Sequence, residues 1–266
     1  MITALDHIAL AVGDFEASAD AYEALFALRA ERQDPVGGAR RARFRLTNMS
    51  LEIIAAEGAG PAGDRVRARL AEQGQGLLAV AFRVDDLDRA QRLLERRGVA
   101  STAAQGCARL AAETTYGLPL SLVEAAPSVP SGAIGDPTAS LHALDHIVVQ
   151  TPNPDRALAL FGAKLGLDLR LDRTNATWGN RLLFFRCGDS VVEIGHGLAD
   201  GVSDGPDLFG GLAWRTRDPQ AARVRMAAVG FNVSEVRKGR KPGTEVFTVR
   251  DAPVGVPTLV LSATSD

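Results

Sequence analysis

Two histidines and two glutamates stand at matching places in this chain. Ala4-Leu5-Asp6-His7-Ile8 returns letter for letter as Ala143-Leu144-Asp145-His146-Ile147. Leu51-Glu52-Ile53 is answered by Val192-Glu193-Ile194. An imidazole and a carboxylate on neighbouring strands can move a proton or hydrogen-bond a substrate oxygen. Leu78 to Asp85 (LAVAFRVD) likewise resembles Gly211 to Asp218 (GLAWRTRD), so Arg83 answers to Arg215. A guanidinium there could grip a substrate carboxylate with two parallel hydrogen bonds.

The neighbours of the two acids differ. Counting across the Thr47–Ser50 turn sets Arg45 opposite Glu52, where a cross-strand ion pair is natural. The Gly188-Asp189 turn sets Phe184 opposite Glu193 instead. An apolar neighbour leaves Glu193 freer to act as a base, so the second half is the better candidate for chemistry. His196, three residues further on, is expected at the cavity mouth or in a loop, with the loop favoured.

The elements that position these residues repeat in quarters. In the first, a strand over Asp6–Val12 precedes a helical pattern from Asp14 to Leu28, with Asp14 as N-cap. Strands follow near Arg29–Gln33, Arg41–Leu46 and Ser50–Ala55. That order is βαβββ. The second quarter has a strand at Leu77–Val84, a helix at Leu87–Arg97 stopped by Gly98, and a last strand at Leu120–Glu124. In the third, Ile147–Thr151 precedes a helix begun by Pro154. In the fourth, Asp218-Pro219 opens a helix that Gly230 closes. Ala126 to Ser140 (APSVPSGAIGDPTAS) reads as a linker. The predicted domains are therefore 1–125 and 143–266, joined by 126–142.

Composition narrows the class. The 266 residues carry 30 basic and 32 acidic side chains, a net charge of −2, so no global field recruits nucleic acid or a membrane. All but three of the basic residues are arginine. Cys107 and Cys187 form no CxxC pair, which argues against a disulfide scaffold or a cysteine-bound zinc. No apolar run approaches the ~20 residues of a membrane helix, and no signal peptide is evident, so a cytoplasmic location is expected.

Two motifs are decoys. Gly58-Ala59-Gly60-Pro61-Ala62-Gly63 matches GxGxxG but stands alone, and reads as a connection between modules; no nucleotide cofactor is expected. Arg40, Arg41, Arg43 and Arg45 around Phe44 spread over both faces of a strand, and read as surface plus the Arg45–Glu52 pair. No GxSxG or GK[ST] motif is present.

A fourfold βαβββ pattern opening on Asp-His-Ile resembles the vicinal oxygen chelate, or glyoxalase/bleomycin-resistance, superfamily. Gly74-Gln75-Gly76-Leu77, Trp178-Gly179-Asn180-Arg181-Leu182 and Gly188-Asp189-Ser190-Val191-Val192-Glu193 add to the likeness. The resemblance implies an α+β fold, with four βαβββ modules in tandem forming two open, barrel-like domains. It also implies a divalent metal on a His or Gln from each module's first strand and a Glu from each last strand. The carry-over is half broken. His7, Glu52, His146 and Glu193 match. Ala79, Ser121, Gly211 and Leu259 stand where the other ligands would be. If adjacent modules pair, each half keeps two ligands, so a metal is expected to be weakly held or absent.

The chain is accordingly expected to be a glyoxalase-like lyase or isomerase acting on a small oxygenated metabolite. A metal-free sequestering protein of the bleomycin-resistance type is the alternative; an extradiol dioxygenase is disfavoured by the missing ligands. Strand phase sends His146, Val148, Leu182, Phe184, Val191, Glu193 and Arg215 into one cavity. Arg215 would take a carboxylate, and Glu193 or His146 the adjacent acidic C–H or hydroxyl. The partner is a small molecule, with a homodimer as an option.

Overall fold

The computed structural model describes residues 1–104, 106–124 and 129–262. Residues 126–128, where the linker was expected to begin, lie outside them. The first module runs β1 (Ile2–Val12), α1 (Phe15–Phe26), β2 (Glu31–Val36), β3 (Ala39–Arg45), β4 (Ser50–Ala56) and α2 (Pro61–Gln73). The second runs β5 (Gly76–Val84), α3 (Leu87–Arg96), β6 (Ser101–Ala104), β7 (Cys107–Leu110) and β8 (Leu120–Glu124). The third has β9 (Ala143–Gln150), α4 (Pro154–Leu158) continued by a π-helical turn to Lys164, β10 (Asp168–Asn175), β11 (Asn180–Cys187) and β12 (Ser190–Gly197). The fourth has β13 (Leu208–Thr216), α5 (Pro219–Ala228), β14 (Arg237–Lys238), β15 (Glu245–Val249) and β16 (Thr258–Ser262).

Each module is therefore βαβββ, and the strands form two eight-stranded sheets. Their orders are β2-β3-β4-β1-β5-β8-β7-β6 and β10-β11-β12-β9-β13-β16-β15-β14. The sheets do not close into barrels. The helices start where the sequence places their caps. Asp14, Asp86, Asn153 and Asp218 each accept a backbone N–H from three residues on, satisfying a donor the helix cannot.

By proximity, one compact unit gathers the second and third modules with the first seven residues, and another gathers the first and fourth. The first unit is pinned by a buried ion pair. Asp207, fully inaccessible, takes Arg156 at 2.8 Å and the Thr151 hydroxyl at 2.7 Å. Arg156 also stacks on Tyr116, 4.4 Å from the ring centroid. The second unit centres on aromatics: Phe26 meets Trp214 edge-on at 4.8 Å and Phe44 at 5.4 Å.

The Gly58–Gly63 loop is a pinned turn rather than a phosphate cradle. The Ala62 and Gly63 N–H groups donate to the Gly37 carbonyl at 3.0 and 3.1 Å. The donors that a dinucleotide would need are thus taken by the β2–β3 hairpin, which lies so close that Gly60 and Gly63 have no room for a Cβ.

Candidate functional site

In both halves the alternation of burial slips at the repeated motif. Leu5 and Ile8 are buried while Asp6 and His7 between them are half-buried, and Leu144, Asp145, His146 and Ile147 do the same. Regular pleating would send neighbouring side chains to opposite faces. The slip gives both members of each Asp-His pair access to partners. Asp6 accepts from Arg83 at 3.1 Å and meets His7 Nδ1 at 2.9 Å. Burial opposes the Asp6 charge, but the hydrogen bonds from His7 and Arg83 hold its pKa below the ordinary carboxylate value. Asp145 accepts from Arg215 at 2.8 Å. The two corresponding arginines are thus each bound by the aspartate of the repeated motif, a pairing that the sequence analysis missed.

The two glutamates have different fates. Glu52 is 4% exposed and is held by Arg43. The expected partner, Arg45, is off by two residues. Leu46 N–H bonds to the Met49 carbonyl, so the loop takes four residues and β4 restarts at Ser50 opposite Arg45. Arg45 binds Glu31 instead, at 2.8 Å. The remaining arginines of that cluster are also engaged, Arg40 with Glu16 at 2.9 Å and Arg41 with the Val36 carbonyl.

Glu193 does face Phe184 across the β11–β12 hairpin, and on its other side lies Val148 of β9. His146 pairs with Val191 one rung away, and its Nε2 comes 3.5 Å from Glu193 Oε2. Both side chains are 17% exposed. Val148, Leu182, Phe184 and Val191 are all half-buried on this face. The alternate residues Ile147, Val149, Leu183, Phe185, Val192 and Ile194 are buried, and Phe185 packs on Phe161 of the helical turn. The sheet thus turns a largely apolar face, bearing Glu193 and His146 with Arg186 at the end of the His146 rung, away from its helix. Gln150, Leu171 and Arg173 extend that face. His196 is not in a loop. It lies in β12, 6% exposed, with Nδ1 3.0 Å from the Thr151 carbonyl, a structural contact. Burial pushes the Cys187 thiol up to about 12, so it offers no thiolate at neutral pH.

Register also tests the metal set. Glu193 pairs with Val148, two residues beyond His146. Ser121 pairs with Ala81, two beyond Ala79, and Leu259 pairs with Ala213, two beyond Gly211. The second and fourth modules therefore offer one hydroxyl in place of two His and two Glu. Among the described residues no three His, Cys, Asp or Glu gather in a metal-holding group. This donor set does not fit a tightly held transition metal, which needs three or four such ligands.

Comparison with known proteins agrees with the fold. A family model described as a glyoxalase-like domain matches residues 5–116, and one described as the glyoxalase/bleomycin resistance protein/dioxygenase superfamily matches 145–248. The chain belongs to the vicinal oxygen chelate superfamily. A mutant of 4-hydroxymandelate synthase from Streptomyces coelicolor superposes with a TM-score of 0.76 at 14% identity, covering 100% of this chain and 94% of that one. A halotolerant catechol dioxygenase gives 0.70 at 12% identity, covering 99% and 87%. The Mn(II)-bound glyoxalase from Novosphingobium aromaticivorans gives 0.68 at 16%, covering 98% and 82%. At such identities the likeness is one of fold. Comparison with curated proteins finds no match. Among the described residues no helix is long and apolar enough to cross a membrane.

Proposed function

We propose that the protein is a glyoxalase-like lyase or isomerase that transfers a proton on a small oxygenated metabolite at the His146–Glu193 pair. The observation that carries this is an acid and an imidazole 3.5 Å apart on a face of Val148, Leu182, Phe184 and Val191. Glu193 takes the proton from the carbon beside a carbonyl, and the C–H electron pair moves to the oxygen as an enolate. His146 donates Nε2–H to that oxygen as its charge grows. Return of the proton to a neighbouring carbon gives an isomerase; loss of a group from the next carbon gives a lyase. No step passes through a metal. The two eight-stranded sheets, β1–β8 and β9–β16, support a division into domains 1–125 and 143–266.

A sequestering protein is the second reading, favoured by the replacement of four ligand positions by Ala79, Ser121, Gly211 and Leu259. An extradiol dioxygenase would need a third donor that Gly211 and Leu259 do not supply. Proton NMR in D2O separates the readings. Small ketones and oxo acids are incubated with wild type and Glu193→Gln. Deuterium should enter the carbon beside the carbonyl with wild type only. Ligand binding with no exchange would leave the sequestering reading in its place.

A further inference from the structure

The face carrying Glu193 has a second polar rung. Leu171, Phe184, Glu193 and Val148 stand side by side across β10, β11, β12 and β9. The next rung is Arg173, Leu182, Gly195 and Gln150. Directly opposed residues share a face, so Arg173 and Gln150 project on the side of Glu193. Successive rungs on one face are about 7 Å apart.

Three features make this rung an anchor for an anion. Arg170 pairs with Asp168 at 2.8 Å, and Arg181 holds Asp155 and Asp172 at 2.7 Å each. Among the described residues no carboxylate pairs with Arg173; its guanidinium lies 5.8 Å from the Trp178 ring centroid. Gly195 leaves the middle of the rung without a side chain, and the Gln150 amide lies over it. A Cβ at 195 would come 3.1 Å from Gln150 Oε1 and 3.3 Å from Nε2. The surface between is apolar: Leu182 and Phe184, with Leu171 left 45% exposed. Other arginines are committed, Arg215 to Asp145 and Arg186 to the Gly188 carbonyl at 3.2 Å.

We propose that this rung holds the substrate's carboxylate, with Arg173 as its ion-pair partner, the Gln150 amide as a second donor and Leu182 against the carbon chain. The assignment rests on Glu193 and His146 being the reacting pair. It names the substrate class: an oxo acid whose carboxylate stands a short carbon chain away from the reacting centre. A 2-oxo acid, with the two groups bonded to each other, cannot span two rungs.

Calorimetric titration of 5-oxohexanoate and 2-oxohexanoate into wild type, Arg173→Gln and Arg186→Gln tests this. Exchange of the protons beside the ketone is followed by NMR in D2O on the same samples. Wild type should bind 5-oxohexanoate at least about tenfold more tightly than 2-oxohexanoate, as expected for a charge-assisted pair. Arg173→Gln should lose at least about tenfold in that affinity, and Arg186→Gln should retain it. Equal affinity for the two acids, no binding of either, indifference to Arg173, or loss with Arg186→Gln would each overturn the anchor. A preference that depends on Arg173 without any exchange would sink the proton-transfer proposal and leave the anchor standing. Exchange with binding indifferent to Arg173 would sink the anchor alone.

Discussion

The first and third modules carry the same Asp-His-Ile strand and the same Glu-Ile strand, yet their glutamates do different work. Glu52 is buried against Arg43, its cross-strand neighbour. Glu193 keeps a side chain 17% exposed beside His146, with Phe184 across the hairpin. One residue on the neighbouring strand decides between an acid that holds the fold and one open to chemistry. Hairpin length selects that residue. A four-residue loop brings Arg43 to Glu52, and a two-residue turn brings Phe184 to Glu193.

The largest effect should come from breaking the closed pair. Arg43→Ala strands a buried carboxylate and should cost about 3–5 kcal/mol in denaturant unfolding. The double change Arg43→Met with Glu52→Leu should recover most of that loss, because it removes the buried charge as well. A single variant as stable as wild type would show that Glu52 is solvated, and the contrast between the modules would fail.

The second effect is kinetic. Glu193→Gln should slow deuterium exchange by at least about 100-fold with little change in stability, and Glu52→Gln should leave the rate where it was. Phe184→Arg sharpens the point by rebuilding the first module's pair in the third. It should suppress exchange as fully as Glu193→Gln while Glu193 remains in place. Unimpaired exchange in that variant would mean that the cross-strand neighbour does not govern the acid.

Metal removal should do less. With two donors per half at the family's positions, purified protein should carry well under one transition-metal equivalent by elemental analysis. Chelation should shift Tm by less than about 1 °C, because a weakly held ion adds little stabilisation by mass action. One equivalent that disappears with His146→Ala would contradict the register equivalences.

The smallest effect is acid sensitivity at Asp6. Its pKa in the folded protein is depressed, so its contribution is complete above the unfolded value of about 4 and is lost as pH falls through the lower folded value. Asp6→Asn should therefore narrow the Tm gap between pH 7 and pH 3. An unchanged gap would show that the His7 and Arg83 contacts do not stabilise the charged form.

Local chemistry determined much of this protein from sequence alone. Capping residues Asp14, Asp86, Asn153 and Asp218 set the helix starts, the duplicated motif set the module count, and the tight Gly188-Asp189 turn placed Phe184 opposite Glu193. These depend on neighbours in the chain, so spacing reveals them. Tertiary structure decided the rest. The Leu46–Met49 loop closed on a backbone hydrogen bond that composition does not announce, and so exchanged Arg45 for Arg43. Asp6 found Arg83 and Asp145 found Arg215 across 77 and 70 residues, a choice that belongs to strand register. Strand β10 is exposed along nearly its whole length and shifts register between Leu169 and Leu171, so its alternation could not be read. Only pairing with β11 shows that Arg173 shares a face with Glu193. A side chain's identity is local, but the partner that makes it structural or reactive is delivered by register between distant strands.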